Sequence, residues 1–255
     1  MSSLIPTKRG SLLFPALALL ASLASFSATA AQVSYNFDDN VVPAGTTVNG
    51  VAAVSGGVLH LTDAGQAGVN GGFAVPDITG GKSVGNLHVH WKSLIGAGQN
   101  GGADGYSFNW GTDLAAAGAG EEGTGTGLSV TVDTFDNGGG ETGIEIKWGA
   151  PDHGSAVGAS RVAFLPLPKD DPGNGIYLRK NAFVEADLVV DNNSCRAIFT
   201  YDGQTVSADL PGFAGFAGGN FSFGARTGGA NDNQWLDDVS ITTGLREIVS
   251  QDILA

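Results

Sequence analysis

The sequence is poor in cysteine and in charged side chains. Of its 255 residues one is cysteine, Cys195, and 15% are Asp, Glu, Lys or Arg, against about 25% in an average protein. A single thiol cannot form an internal disulfide, so a hydrophobic core, helped by any bound metal, has to stabilise the fold. Few charges together with 41 glycines argue against long surface helices, coiled coils and helical repeats.

Basic residues are the scarcest charged type, with 12 Lys and Arg against 25 Asp and Glu. Two of them, Lys8 and Arg9, precede an apolar run over residues 12–23, and Ala28-Thr29-Ala30 follows. This order is typical of a signal peptide, so we expect cleavage after Ala30 and export of the mature protein. The run is too short to predict a transmembrane segment.

The remaining chain is strongly acidic, because it keeps all 25 acidic residues and only 10 basic ones. A chain of this charge repels phosphate backbones, so we expect no nucleic-acid partner. Cation binding is plausible where several carboxylates converge, while dispersed acidic residues would only increase solubility.

Apolar residues alternate with polar ones along much of this chain, which is typical of half-buried β-strands. The clearest cases are Leu87–Lys92, Leu128–Asp133 and Ile144–Trp148. Similar strands are expected at Ala182–Val190, Ser194–Tyr201, Thr205–Leu210, Asn220–Arg226 and Trp235–Thr242. We expect Cys195 to fill space in the core as part of the second of these.

Turn residues separate the predicted strands, as at Asp191-Asn192-Asn193 and Asp202-Gly203, where positive φ angles are tolerated. Many short strands without a linker predict one all-β domain over residues 31–243, a sandwich of two antiparallel sheets. Residues 244–255 would form a tail, with a helical pattern at Leu245–Leu254.

Several apparent motifs do not predict function. The Gly-x-Gly-x-x-Gly patterns at 96–101 and 118–123 do not join a parallel strand to a helix, as a nucleotide site requires. His88 and His90 share one strand face but lack a third metal ligand, and exposed positions explain them. Glu141 and Glu145 do not form the run of acids on one strand face that sandwich-fold glycosidases use.

Three segments carry the candidate chemistry, namely 103–108, 132–138 and 223–232. Asp133 ends a predicted strand before a Gly-rich loop, so its carboxylate, a backbone carbonyl and the Asn137 amide oxygen can turn toward one point. Such oxygen ligands suit Ca²⁺, although the spacing is not that of an EF-hand. An Asp-Asn-Gly turn with solvated carboxylates is the alternative interpretation.

Taken together, Ala103-Asp104-Gly105, Asp133-Thr134-Phe135-Asp136-Asn137 and Thr227-Gly228-Gly229 resemble the L-type lectins, the family of legume seed lectins and animal cargo-receptor lectins. The resemblance spans roughly Val33 to Thr242 and includes a hairpin at Phe183–Leu210. It implies a concanavalin A-like jelly-roll sandwich.

The resemblance also implies a calcium site. Asp133 would supply its carboxylate, Phe135 its carbonyl and Asn137 its amide oxygen, while the further acidic ligand is either Glu141, at the legume spacing, or Asp152, nearer the animal position. The family's transition-metal site lacks its acidic ligand, because that position is a threonine, Thr131. We therefore expect calcium without manganese.

The carbohydrate site implied by the resemblance consists of Asp104, Phe135, Asn137, His153, Gly228, Gly229 and Ala230. Asp104, preceded by a cis peptide bond, would accept hydrogen bonds from two hydroxyls. Asn137 would donate its NH₂ group while its oxygen faces the metal. Phe135 would offer a ring face, and the backbone amides of the last three residues would complete the site.

These expectations describe an exported, calcium-dependent carbohydrate-binding protein without catalysis. One exposed site of this kind binds weakly, so useful avidity requires a homo-oligomer or a larger surface assembly. Two alternatives share the same fold. One is a glycan-active hydrolase or lyase, and the other is a structural or adhesive module in which calcium only stiffens the loop.

Overall fold

The computed structural model describes residues 31–114, 120–136, 142–149 and 161–245. The regular secondary structure within these ranges consists of β-strands. The same ranges contain no helix that is long and apolar enough to cross a membrane. The strands are β1 Ala31–Tyr35, β2 Thr47–Gly50, β3 Ala53–Ser55, β4 Val58–Thr62, β5 Asn70–Val75, β6 Ser83–Gln99, β7 Gly105–Gly111, β8 Leu128–Asp133, β9 Gly143–Trp148, β10 Arg161–Pro166, β11 Val184–Asp191, β12 Arg196–Tyr201, β13 Gln204–Asp209, β14 Phe216–Ala217, β15 Asn220–Arg226 and β16 Asn231–Leu245.

These strands form two antiparallel sheets. The nine-stranded sheet has the order β13-β12-β11-β6-β16-β4-β3, with β1 paired to β16 and β14 paired to β6. The seven-stranded sheet has the order β10-β9-β8-β7-β15-β5-β2. Strands that are distant in the chain are therefore neighbours, and the expected all-β sandwich is confirmed.

Aromatic side chains fill the space between the sheets. Trp91, on β6, lies with its ring centroid 5.9 Å from Phe108, 5.3 Å from Phe223 and 5.9 Å from Phe199. Its indole N–H donates a 3.0 Å hydrogen bond to the Tyr106 hydroxyl on the other sheet. Because each of these side chains is buried, this cluster joins both sheets into one hydrophobic core.

Most strands predicted from alternation are present. Two of them, Leu128–Asp133 and Asn220–Arg226, begin and end at the predicted residues. Cys195 is not in a strand. It lies in the turn before β12 with a φ of 50° and is half-buried against the core. The last strand continues to Leu245, beyond the expected start of the tail, and the rest of the helical pattern lies outside the described residues.

The prediction of half-buried strands is wrong for β8 and β9, whose polar sides are also buried. The segment 120–127 covers them. It is attached to β7 by hydrogen bonds from the Ser107 hydroxyl to the Gly120 carbonyl, 2.7 Å, and from the Thr124 amide to Asn109 Oδ1, 3.0 Å. A period of two shows which residues share a face, but it cannot show that a distant segment covers that face.

Candidate functional site

The three segments singled out in the sequence meet at one end of the seven-stranded sheet. Gly105, the first residue of β7, pairs with Asp133 on β8 and with Arg226 on β15. Asp133 in turn pairs with Gly143 on β9. This register places the residue before Gly105, the loop after Asp133 and the loop after Arg226 at the same edge.

Backbone hydrogen bonds fasten Asp104 between the two neighbouring segments. Its amide donates to the Arg226 carbonyl at 3.1 Å, and its carbonyl accepts from the Thr134 amide at 2.9 Å. The Ala103–Asp104 peptide bond is cis, as the resemblance implied. The Ala103 carbonyl accepts a 3.0 Å hydrogen bond from the Gln234 side-chain amide. The position of Asp104 is thus set by β15, β16 and the end of β8.

The Asp104 carboxylate is buried and lies beside the late glycine loop. A methyl group added at Gly228 would lie 3.7 Å from Asp104 Oδ2, and Arg226 Nε is 3.2 Å from the same oxygen. Burial raises the pKa of Asp104, and the Arg226 guanidinium partly opposes that shift. The carboxylate is an acceptor at the sheet edge, as a sugar site requires.

The glycine loop turns its carbonyls toward the rest of the protein. The Gly228 carbonyl accepts from the Gly68 amide at 3.0 Å, and the Gly229 carbonyl accepts from the Asn100 side chain at 3.0 Å. Within the described ranges, the amides of Gly228, Gly229 and Ala230 have no acceptor. These donors are available for a ligand beside the Asp104 carboxylate.

Asp133 is a buried carboxylate without a cation. Its Oδ1 accepts from the Phe135 amide at 2.9 Å, and no Lys, Arg or His of the described chain forms an ion pair with it. The pKa of Asp133 is raised to about 8, mainly by burial and also by the nearby carboxylates of Glu122, Glu145 and Glu121, while the hydrogen bond from the Phe135 amide lowers it. A buried acid among other acids is costly unless a cation neutralises it, so this environment fits a bound Ca²⁺.

The described residues alone do not complete a metal site. They contain no group of three His, Cys, Asp or Glu side chains that could hold a metal ion. The other expected ligands, Asn137 and either Glu141 or Asp152, lie outside the described residues, as does His153. Only the Asp133 carboxylate and the backbone of Phe135 are therefore placed, and the remaining ligands stay predictions.

Sequence reasoning missed two charged residues next to Asp104. Arg226 also donates through Nη2 to Glu121 Oε1, and burial raises the pKa of Glu121 to about 7 despite this contact. Arg226 was visible in the third segment, directly before Thr227, but nothing in its spacing linked it to Asp104. Glu121 lies within the Gly-x-Gly-x-x-Gly pattern at 118–123, which does not predict a nucleotide site and gives no other sign of function.

A third missed residue is Lys169, which follows β10. Its ammonium donates a 2.8 Å hydrogen bond to the Gly101 carbonyl and lies 5.9 Å from the centroid of the Phe135 ring. The Phe135 ring, expected to face a sugar, therefore has a cation over one face. No sequence signal relates position 169 to position 135, because the contact depends on how two loops pack.

Unlike Asp133, the carboxylates of Glu145 and Glu122 beneath and within segment 120–127 are ion-paired. Glu145 contacts Arg161 at 2.6 Å and Lys147 at 3.5 Å, while Lys147 also contacts Glu122 at 2.5 Å. A glycosidase pair needs two carboxyl groups about 5 to 9.5 Å apart on either side of an open bond-cleavage site. Glu145, buried and paired beneath segment 120–127, does not provide one.

The histidine pair lies on the outer face of the nine-stranded sheet, as expected for exposed positions. His88 Nε2 is 2.7 Å from Asp187, and His90 Nε2 is 3.1 Å from Glu185. These are surface ion pairs of the kind that contribute little to stability.

The sequence matches no protein-family model and no curated protein. Solved structures do match. The VIP36 exoplasmic/lumenal domain in its Ca²⁺/Man2-bound form is 14% identical with a TM-score of 0.62, covering 87% of this chain and 92% of that one. The Emp47p carbohydrate recognition domain is 13% identical with a TM-score of 0.62, covering 83% and 95%.

Peanut lectin, in a structure with a 9mer peptide, is 17% identical with a TM-score of 0.60, and the alignment covers 85% of this chain and 99% of that one. These three solved chains therefore share this sandwich over nearly their whole length. The chain has the concanavalin A-like fold of the L-type lectins.

Proposed function

We propose that the protein is an exported, calcium-dependent carbohydrate-binding protein without catalysis. The observation that carries this proposal is the meeting of Asp104, the loop after Asp133 and the Gly228 loop at one sheet edge. The fold is also that of VIP36, whose structures include Ca²⁺/Man3GlcNAc-bound and Ca²⁺/Man2-bound forms. We therefore propose carbohydrate as the ligand class of this chain.

In the proposed site, protein groups bind the sugar by hydrogen bonding. Asp104 accepts from hydroxyl groups of the sugar, and the amides of Gly228, Gly229 and Ala230 donate to its oxygens. Such contacts replace hydrogen bonds to water of nearly equal strength, so the buried and prearranged Asp104 carboxylate matters more than the number of contacts. Asn137 and His153 would add contacts, and Phe135 would supply an apolar face.

Calcium would supply positive charge at Asp133. The carboxylate of Asp133 and the carbonyl of Phe135 would bind it together with Asn137 and either Glu141 or Asp152. Because Asp133 is separated from Asp104 by one strand pairing, an ion there would order the loop that faces the sugar. The absence of an acid at Thr131 supports calcium rather than manganese.

Residues 1–30 would act as a signal peptide that directs export and is then removed. Because one such site binds weakly, useful avidity would require several sites. An oligomer or a larger surface assembly would provide these sites.

Glycan-array binding of the calcium-loaded protein tests the proposal. We expect the parent to bind a defined group of glycans, and Asp104→Ala to reduce that binding more than about tenfold, because two hydrogen bonds to a charged acceptor are lost. Asp187→Ala is the matched control, since it removes an exposed carboxylate from the opposite sheet.

Equal binding by the parent and Asp104→Ala would contradict the site assignment. Absence of binding by the parent, with calcium still raising its melting temperature, would instead favour the calcium-stiffened structural module. That second function is supported by Asp133 alone, since a buried acid without a cation favours metal binding whether or not a sugar binds. Release of shortened glycans would show the hydrolase or lyase.

A further inference from the structure

Lys169 lies between two segments of the candidate site. It is half-buried, and its Nζ donates to the Gly101 carbonyl, which precedes Asp104 by three residues, at 2.8 Å. The same nitrogen lies over the ring of Phe135, 5.9 Å from its centroid. Lys169 thus contacts both the segment that leads into Asp104 and the segment that leaves Asp133.

The charge of Lys169 is not balanced by any carboxylate in the described chain. Its neighbour Asp170 pairs with Arg179 at 2.5 Å, and Arg179 also pairs with Asp232 at 2.7 Å. Apart from exposed Lys82, the other described Lys and Arg side chains all form ion pairs. In so acidic a protein, a lysine beside the candidate site that has no ion pair among the described residues is well placed to bind an anionic ligand.

Lys169 also has more N–H donors than it has hydrogen-bond acceptors among the described residues. An ammonium group carries three N–H bonds, and the Gly101 carbonyl is the one hydrogen-bond acceptor found for Nζ within the described ranges. Arg226 differs, because its guanidinium is already committed to Asp104 and Glu121. Judged by their contacts with the described residues, Lys169 can therefore contact a ligand more readily than Arg226 can.

We propose that Lys169 makes the site select glycans that carry a carboxylate, the uronic-acid class. A sugar bound beside Phe135 and Nζ would meet the two donors that have no acceptor within the described ranges. A carboxylate would accept from them and neutralise the charge, whereas a hydroxyl would accept from them without neutralising it. The ammonium bonds either group, but only with a carboxylate is the attraction between two opposite charges added, and partial burial strengthens that attraction by reducing the screening by water. This inference rests on the proposed carbohydrate-binding function.

Two ligands that differ only at the carboxyl group test the inference. The calcium-loaded protein is titrated calorimetrically with an oligomannuronate and with the carboxyl-reduced oligosaccharide made from it. We expect the parent to bind the acidic form about tenfold more tightly, as for one charge-assisted hydrogen bond. The preference should shrink with added salt, because mobile ions screen the ion pair.

Three variants assign the preference to Lys169. Lys169→Gln should bring the two affinities together, because it weakens binding of the acidic oligosaccharide far more than binding of the reduced one. Lys169→Arg, which keeps the charge, should retain most of the preference. Lys82→Gln removes another lysine that has no ion pair within the described ranges and is far from the site in the chain, and it should behave like the parent.

Equal affinity of the parent for both oligosaccharides would overturn the inference while leaving the proposed function intact. Retention of the preference by Lys169→Gln would also overturn it. If the parent binds neither ligand and no glycan on the array, the proposed function itself fails and the inference with it.

Discussion

Three acidic residues near the candidate site are kept buried at a cost to stability. Burial raises the pKa of Asp104, Glu121 and Asp133, which means that the fold disfavours their charged forms. Residues that serve stability alone are seldom placed in this way, whereas binding sites often contain such groups. The cost is consistent with a cation or a polar ligand that the site is arranged to receive.

Glu121 predicts a pH dependence of stability. The unfolded chain loses this proton near 4.5 and the folded protein near 7, so between these values the folded state holds a proton that the unfolded state lacks. The contribution of Glu121 to the free energy of unfolding therefore falls as the pH rises from about 4.5 to 7. We expect Glu121→Gln, which cannot ionise, to reduce this decline in denaturant titrations of the metal-free protein. A decline as steep as the parent's would show that other groups cause it.

At the scale of elements, the start of β7 controls the geometry of the site. Gly105 has a φ of 121°, and a Cβ there would lie 2.0 Å from the Val132 carbonyl oxygen on β8. The close approach of these two strands is what brings Asp104 next to the loop after Asp133. No residue other than glycine fits this position without moving the strands apart.

We accordingly expect Gly105→Ala to lower the free energy of unfolding by more than about 2 kcal/mol and to abolish glycan binding. Gly229→Ala is the matched control, because a Cβ there meets no atom within 4 Å, and it should leave stability unchanged. Chemical denaturation of both variants provides the measurement. Similar stabilities for the two would contradict the proposed role of the β7–β8 contact.

On the scale of the whole molecule, the candidate site is continuous with the core. Asp133 ends β8, whose Val130 and Val132 belong to the hydrophobic core, and the Trp91 cluster joins that sheet to the other one. An ion bound at Asp133 should therefore stabilise the entire sandwich and not the loop alone, because a ligand that binds the folded state alone shifts the whole unfolding equilibrium.

Calcium removal tests this coupling. We expect EGTA to lower the melting temperature of one cooperative transition, seen equally by far-UV and near-UV circular dichroism. Asp133→Asn should melt at the same temperature with and without calcium, and in the metal-free state it should be at least as stable as the parent, because the amide is always neutral whereas the buried acid has to take up a proton to become neutral. A parent melt that EGTA leaves unchanged would count against a calcium site at Asp133.

The alternation of apolar and polar residues was enough to predict an all-β sandwich, because a strand with one buried face has a period of two whatever lies around it. Asp133 was selected because a predicted strand ends there before a Gly-rich loop, and Asp104 and the Gly228 loop were selected through the resemblance of their short motifs to the L-type lectins. Each of these signals lies within a few consecutive residues, so the linear chain displays it.

Only the tertiary structure decided which residues from different segments contact one another. The burial of Glu145 and Lys147 depends on segment 120–127 crossing their face, and the contact of Lys169 with Phe135 depends on the packing of two loops. The pairing of Arg226 with Asp104 depends on the register of β15 against β7. These are interactions between residues distant in sequence, and neither local propensity nor periodicity contains the distances that determine them.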